Sequence, residues 1–207
     1  MQPSLKNMGR GFSNPSLCSQ AVFRQSLVAL SLPGQPQALD MSLSNPSMQV
    51  PQNAHAAAAA LLLALLDQDC KLWLSAGFAN SDAAAWLRFH TGCVLVTDPG
   101  QADFVWVASA NELPAFEKLA QGNDQYPELS ATCVVQVTDF DTSPCAGAWT
   151  ISGPGIHGTK HLKLLGLSEN FLAFRRISQI HAPCGLDFFF THNDSLIGLP
   201  RSTHVKD

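Results

Sequence analysis

Apolar residues fall in short blocks along this chain, and the densest lies near its end. There Leu186 to Thr191 and Leu196 to Leu199 flank His192-Asn193-Asp194. Asn and Asp tolerate the left-handed backbone of tight turns, so the two runs predict the strands of a β-hairpin. Phe188, Phe189 and Phe190 are consecutive, which puts large apolar side chains on both faces, and such a strand must be covered on both sides. Asp187 and Arg201 are the charges flanking this apolar centre, and a buried carboxylate is costly unless paired. With a three-residue turn, Thr191 faces Ser195 and both charges share a face. With Asn193-Asp194 alone as the loop, they fall on opposite faces. The pattern leaves both registers open.

Upstream, helical and extended blocks alternate. Residues 1–13 are polar and read as a flexible arm, with one domain over 14–207. Asn14 is placed to cap and Pro15 to open a helix through Phe23, Leu27 and Leu30 that stops at Pro33-Gly34, with Arg24 one residue off the apolar stripe. Prolines at 36, 46 and 51 predict irregular chain with at most a short edge strand. Asn53 is expected to cap a buried Ala- and Leu-rich helix over 54–66. Strands follow at 71–74, 93–97, 102–108, 132–137 and 148–151. Between them the pattern predicts a helix from Ser81 to Gly92 and another from Asn111 to Gly122. A last helix opens at Ser168-Glu169-Asn170 and runs through Phe171, Leu172, Phe174 and Ile177. The expected fold is α/β: a single domain with one mixed, mostly buried β-sheet flanked by helices.

Composition narrows the function classes. The 207 residues suffice for one core that buries roughly 70% of the unfolded surface. Charged residues make up only 14%, a value that fits a surface partly covered by partners. Net charge is −4 and no basic block occurs, which argues against nucleic acid or an anionic membrane. Any anion binding then falls to isolated Arg residues. Six cysteines without a C-x-x-C pair read as reduced thiols of a cytosolic protein. The start lacks an apolar signal core and the run from Ala56 to Leu66 is too short for a bilayer, so the location expected is cytoplasmic.

Candidate chemistry is sparse. Gly153 to Lys160 is glycine-rich, but a Walker loop needs Gly-Lys followed by Ser or Thr opening a helix, and Gly158-Thr159-Lys160 reverses that order. His157 and His161 would share a face only on a helix, which Gly155 and Gly158 oppose, and no third ligand is near. There is no G-x-S-x-G motif and no Cys beside a predicted base. The six lysines (6, 71, 118, 160, 163 and 206) and the short chain disfavour a pyridoxal-phosphate site. No cofactor and no metal are expected. The alternative is a stand-alone enzyme, either pyridoxal-dependent or a metal hydrolase using His157 and His161.

Five pieces stand in order: Phe23-Arg24 with Leu27, Leu30 and Pro33-Gly34; Leu87-Arg88-Phe89-His90-Thr91; Gly153-Pro154-Gly155-Ile156; Gly185-Leu186-Asp187; and Leu199-Pro200-Arg201-Ser202-Thr203-His204. This ordered set resembles the PhnH family of the bacterial carbon-phosphorus lyase system. The resemblance runs from Ser13 to Val205, departing at Cys184 and in the arm. It implies a fold like the large domain of pyridoxal-phosphate transferases without the cofactor. It also implies a homodimer that joins the PhnG, PhnI and PhnJ subunits. That system removes adenine from ATP and joins the ribose to a phosphonate, giving a ribose 1-phosphonate 5-triphosphate, with the nucleosidase chemistry chiefly on PhnI. This chain would then be an accessory subunit with no catalytic residue of its own. The residues expected at a ligand- or partner-binding site are Arg24, Arg88, His90, Gly153, Gly155, Asp187 and Arg201. In one reading Arg88, His90 and Arg201 line a cleft with the Gly153-Pro154-Gly155 backbone, since Arg grips phosphate or carboxylate in two-pronged fashion. In the other, Arg201 only neutralises Asp187.

Overall fold

The computed structural model describes residues 9–40, 48–168, 170–179 and 181–207; the first eight residues of the expected arm lie outside them. In chain order its elements are α1 (Pro15–Ser31), β1 (Gln37–Ala38), α2 (Ala56–Leu65), β2 (Lys71–Leu74), α3 (Ala76–Ala79), α4 (Ala83–Thr91) and β3 (Val94–Leu95). After them come β4 (Phe104–Val107), β5 (Thr132–Gln136), β6 (Asp139–Asp141), β7 (Trp149–Ser152), β8 (Lys160–Leu165), α5 (Phe171–Gln179), β9 (Asp187–His192), β10 (Ser195–Leu199) and β11 (His204–Lys206). A seven-stranded mixed sheet has the order β1-β10-β9-β5-β4-β2-β3, parallel from β9 to β3 and antiparallel at β10 and β1.

Local chemistry explains most boundaries. The Asn14 side chain accepts from the Leu17 amide at 3.2 Å and Pro15 fills the first helical position, so α1 starts where its cap dictates. α4 ends at Gly92, whose φ of 77° suits a residue without Cβ. α2 begins later than expected. Asn53 adopts φ 64° and gives its carbonyl to the Gln136 side chain, and His55 takes the N-cap position. The helix expected over 111–122 is absent. Two short 3₁₀ turns, Ala110–Glu112 and Phe116–Lys118, stand there instead, separated by Pro114. Proline excludes its predecessor from the helical region, and Leu113 is extended at ψ 122°.

A second sheet is the main departure from the expected single one. It is antiparallel, ordered β11-β7-β8-β6. With α5 and the 3₁₀ segment it covers one face of the large sheet, where Phe188 and Phe190 stack 5.6 Å apart against Phe171 and Phe116. Phe189 points to the opposite face, into the layer formed by α1, α2 and α4. The three consecutive Phe are therefore buried on both sides, as their spacing requires.

Candidate functional site

The hairpin register uses the two-residue loop: Ser195 pairs with His192 and Leu199 with Phe188, with Asn193 at φ 51°. Asp187 and Arg201 nevertheless meet. The ladder ends at Leu199, Pro200 offers no N–H, and the chain turns so that the Thr203 amide returns to the Pro200 carbonyl at 2.9 Å. Strand parity no longer governs Arg201 beyond that point. Its backbone N–H donates to Asp187 Oδ1 at 2.7 Å. Its guanidinium donates to the same carboxylate from Nη2 at 2.6 Å and from Nε at 3.1 Å. The remaining donors reach the Pro127 carbonyl at 2.5 Å and the Ser130 hydroxyl. Both side chains are mostly buried, 23% and 21% exposed.

Arg175, on α5, joins this pair and escaped the sequence reading. An Arg in an amphipathic helix reads as a surface residue, yet it is fully buried over the Phe188 ring. It donates to the Leu186 carbonyl at 2.7 Å, to the Pro200 carbonyl and, at 3.5 Å, to the Thr203 carbonyl. Burial pulls its pKa down to about 10, with Asp187 acting upward and Arg201 downward. Burial also raises the Cys133 thiol on the neighbouring strand, and Asp187 adds to that rise. The cluster thus holds two cations and one carboxylate: Arg175 donates to main-chain carbonyls, and Arg201 to Asp187, the Pro127 carbonyl and Ser130. Such an arrangement fastens α5, β9 and the 200–203 turn to one another.

The glycine-rich loop packs beside that turn. A Cβ on Gly153 would stand 2.9 Å from the Ser202 carbonyl, and one on Gly155 would stand 2.0 Å from the Ser31 carbonyl at the end of α1. A Cβ on Gly34 would meet a side chain instead, 2.3 Å from Ile151 Cδ1, while the Gly34 amide donates to the Gly198 carbonyl at 3.2 Å. Pro33-Gly34, Gly153-Pro154-Gly155 and Pro200 to His204 are far apart in sequence and form one corner where backbones touch.

Arg88 and His90 lie elsewhere. They end α4 beside β3, on the α1/α2/α4 side of the sheet, four strands or about 19 Å from β9. His90 Nε2 and Trp86 Nε1 both donate to the Gly9 carbonyl, at 2.8 and 3.0 Å, so this helix end holds residues 9–11 in place. Arg88 is exposed, and its charge opposes the rise that burial gives the Cys93 thiol. Arg24 is exposed on α1. His157 sits in the glycine loop and His161 on β8, not on one helix face. Among the described residues no group of three or more His, Cys, Asp or Glu could hold a metal ion.

In open α/β sheets, ligands favour the strand carboxyl ends where the connections reverse direction, here the ends of β2 and β4. That crevice is occupied by the chain's own groups. The Glu112 carboxylate accepts from the Gly77 amide at 2.9 Å, and Ser75 Oγ accepts from the Ala108 amide at 3.0 Å. Gln136, at the end of β5, receives the His55 amide at 2.6 Å and donates to the Asn53 carbonyl at 2.9 Å. The His55 ring donates through Nδ1 to the Thr191 carbonyl at 2.8 Å and stands edge-on to His192, centroids 5.7 Å apart. Sequence reasoning passed over these residues, because none belongs to a spaced motif.

The fold and its polar centres define a mixed α/β domain with one inward-directed charged cluster, Asp187, Arg175 and Arg201. Comparison with known proteins makes this specific. The model of the bacterial phosphonate metabolism protein (PhnH) family matches residues 10–206, and the chain belongs to that family. It is 29% identical over 196 residues to the alpha-D-ribose 1-methylphosphonate 5-triphosphate synthase subunit PhnH of Rhizobium meliloti (strain 1021), covering 94% of each chain. It is 27% identical over 187 residues to the putative C-P lyase subunit protein HtxG of Stutzerimonas stutzeri, covering 90% of this chain and 85% of that protein. No helix among the described residues is long and apolar enough to cross a membrane.

Proposed function

We propose that this chain is the PhnH-type subunit of a carbon-phosphorus lyase complex. In this role it supports formation of a ribose 1-phosphonate 5-triphosphate from ATP and a phosphonate without carrying the chemistry itself. The observation that carries the reading is the match across residues 10–206, nearly the whole chain, to a family of phosphonate metabolism proteins. Its relatives are named as subunits, over 94% and 90% of this chain. The inward use of Asp187, Arg175 and Arg201 supports a structural role, since each donor engaged with a main-chain carbonyl or with the Asp187 carboxylate is unavailable to a substrate.

The subunit acts in the cytoplasm as one domain over 14–207. It forms a homodimer and joins PhnG, PhnI and PhnJ, and its sheet follows the large domain of pyridoxal-phosphate transferases without holding that cofactor. We assign Asp187, Arg201, Gly153 and Gly155 to the shape of the corner and His90 to the N-terminal segment. Arg24 and Arg88, both exposed, serve contact with partners or with a phosphorylated ligand. Co-expression with PhnG, PhnI and PhnJ followed by native mass measurement tests this. The expected result is a dimer alone and a larger species with the three partners. A stand-alone activity, or no mass change on co-expression, would overturn it.

A further inference from the structure

α1 buries its smaller side chains and exposes its larger ones. The buried residues are Cys18, Val22, Ser26 and Ala29, whereas Leu17, Phe23 and Leu27 stand 58%, 45% and 50% exposed, with Val28 and Leu32 at 37%. The sequence pattern placed Phe23 and Leu27 on the apolar stripe, and the contact with β10 explains why they face outward. β10 comes so close that a Cβ on Gly198 would stand 2.5 Å from the Ala29 carbonyl, and only small residues fit against it. At 3.6 residues per turn Phe23 and Leu27 are neighbours, with Leu17, Arg24 and Val28 aligned beside them. An apolar patch of this kind gains its burial energy only when another surface covers it. Arg24 is the one charged residue between Pro15 and Leu32. Among the described residues it makes no hydrogen bond or ion pair. It stands at the lip of a cavity of about 250 Å³ bounded by Ala21, Gln25, Leu39 and Asp40.

We propose that the outer face of α1 docks a different subunit of the complex, through an apolar segment that brings an Asp or Glu to Arg24. The inference rests on the subunit reading above. Charge selects the occupant. α1 carries no carboxylate and Asp40, which borders the same cavity, is already engaged, so a second copy laid on this face brings Arg24 no free acid, whereas an acidic partner supplies the ion pair.

The test is co-purification with PhnG, PhnI and PhnJ of the wild-type chain, of a Phe23→Asp/Leu27→Asp double variant and of Arg24→Glu, with each variant's melting curve taken alone. Because the substituted side chains are exposed, melting temperatures are expected to stay unchanged while recovery of the complex falls at least about tenfold for the double variant, and less for Arg24→Glu. Failure of the wild type to co-purify would defeat the subunit reading itself. Equal recovery of wild type and double variant would overturn the docking face alone. Retained assembly with loss of a dimer would show that a second copy occupies it, against the proposal. An unaffected Arg24→Glu complex would remove the acidic contact.

Discussion

Asp187 has one carboxylate and three distinct donor atoms of Arg201 to satisfy it, and this fixes what substitutions there will do. Arg201→Ala leaves a largely buried carboxylate without its cation, so unfolding free energy in urea should fall by about 3 kcal/mol. Arg201→Lys should recover little of it, because an ammonium cannot reach Asp187, Pro127 and Ser130 together. Near-full recovery by Lys would mean that charge alone matters. His55 gives a pH signature. Burial lowers its pKa below 6.5, the bond to the Thr191 carbonyl acts in the opposite direction, and the nearby His192 adds to the lowering. The N-terminus of α2 is also a poor place for positive charge. The unfolded chain therefore takes up the proton first as pH falls. Stability from this site is fully present above about pH 6.5 and is lost as pH drops through the lowered folded value. His55→Asn keeps a capping residue and removes the proton site. Urea midpoints for that variant should decline less between about pH 6.5 and 5 than those of the wild type.

Elements show where close backbone approach replaces side-chain packing. Gly198 brings β10 onto α1, so Gly198→Ala should cost about 3 kcal/mol by pushing helix and strand apart. Gly158, with nothing within 4 Å, should cost only about 1 kcal/mol on the same change, from its φ of 72°. Thermal melts of the two variants separate packing from backbone strain, and equal losses would refute the distinction. What the sequence disclosed follows the same division. α1, α4 and the strands at 71–74, 104–107 and 132–136 announced themselves through caps and short apolar runs, which are local causes. β8 did not, because Lys160, His161 and Lys163 interrupt its apolar positions and its partners β7 and β6 are distant in sequence. The charged cluster was half legible. Asp187 and Arg201 stood out against an apolar background, while Arg175 looked like any helical surface residue until the 200–203 turn gave it carbonyls to hold.

At the scale of the molecule, the last two strands of the large sheet lie inside it, between β1 and β5. Amide exchange should accordingly be slowest in β9 and β5 and fastest in the two-residue edge strands β1 and β3. Comparable protection at edge and centre would contradict this. The placement of β9 and β10 also bears on synthesis. α1 leaves the ribosome well over a hundred residues before β10, yet the surface it rests on includes residues 195–199 of that strand. A nascent chain stalled at Cys184 carries α1, α2 and β5 with their inner faces uncovered, and should be cut by protease throughout. Extension past Lys206 supplies the hairpin and β11 within one short interval, and resistance should then appear in a single step. Premature termination of this protein would therefore produce a substrate for degradation, not a shortened subunit.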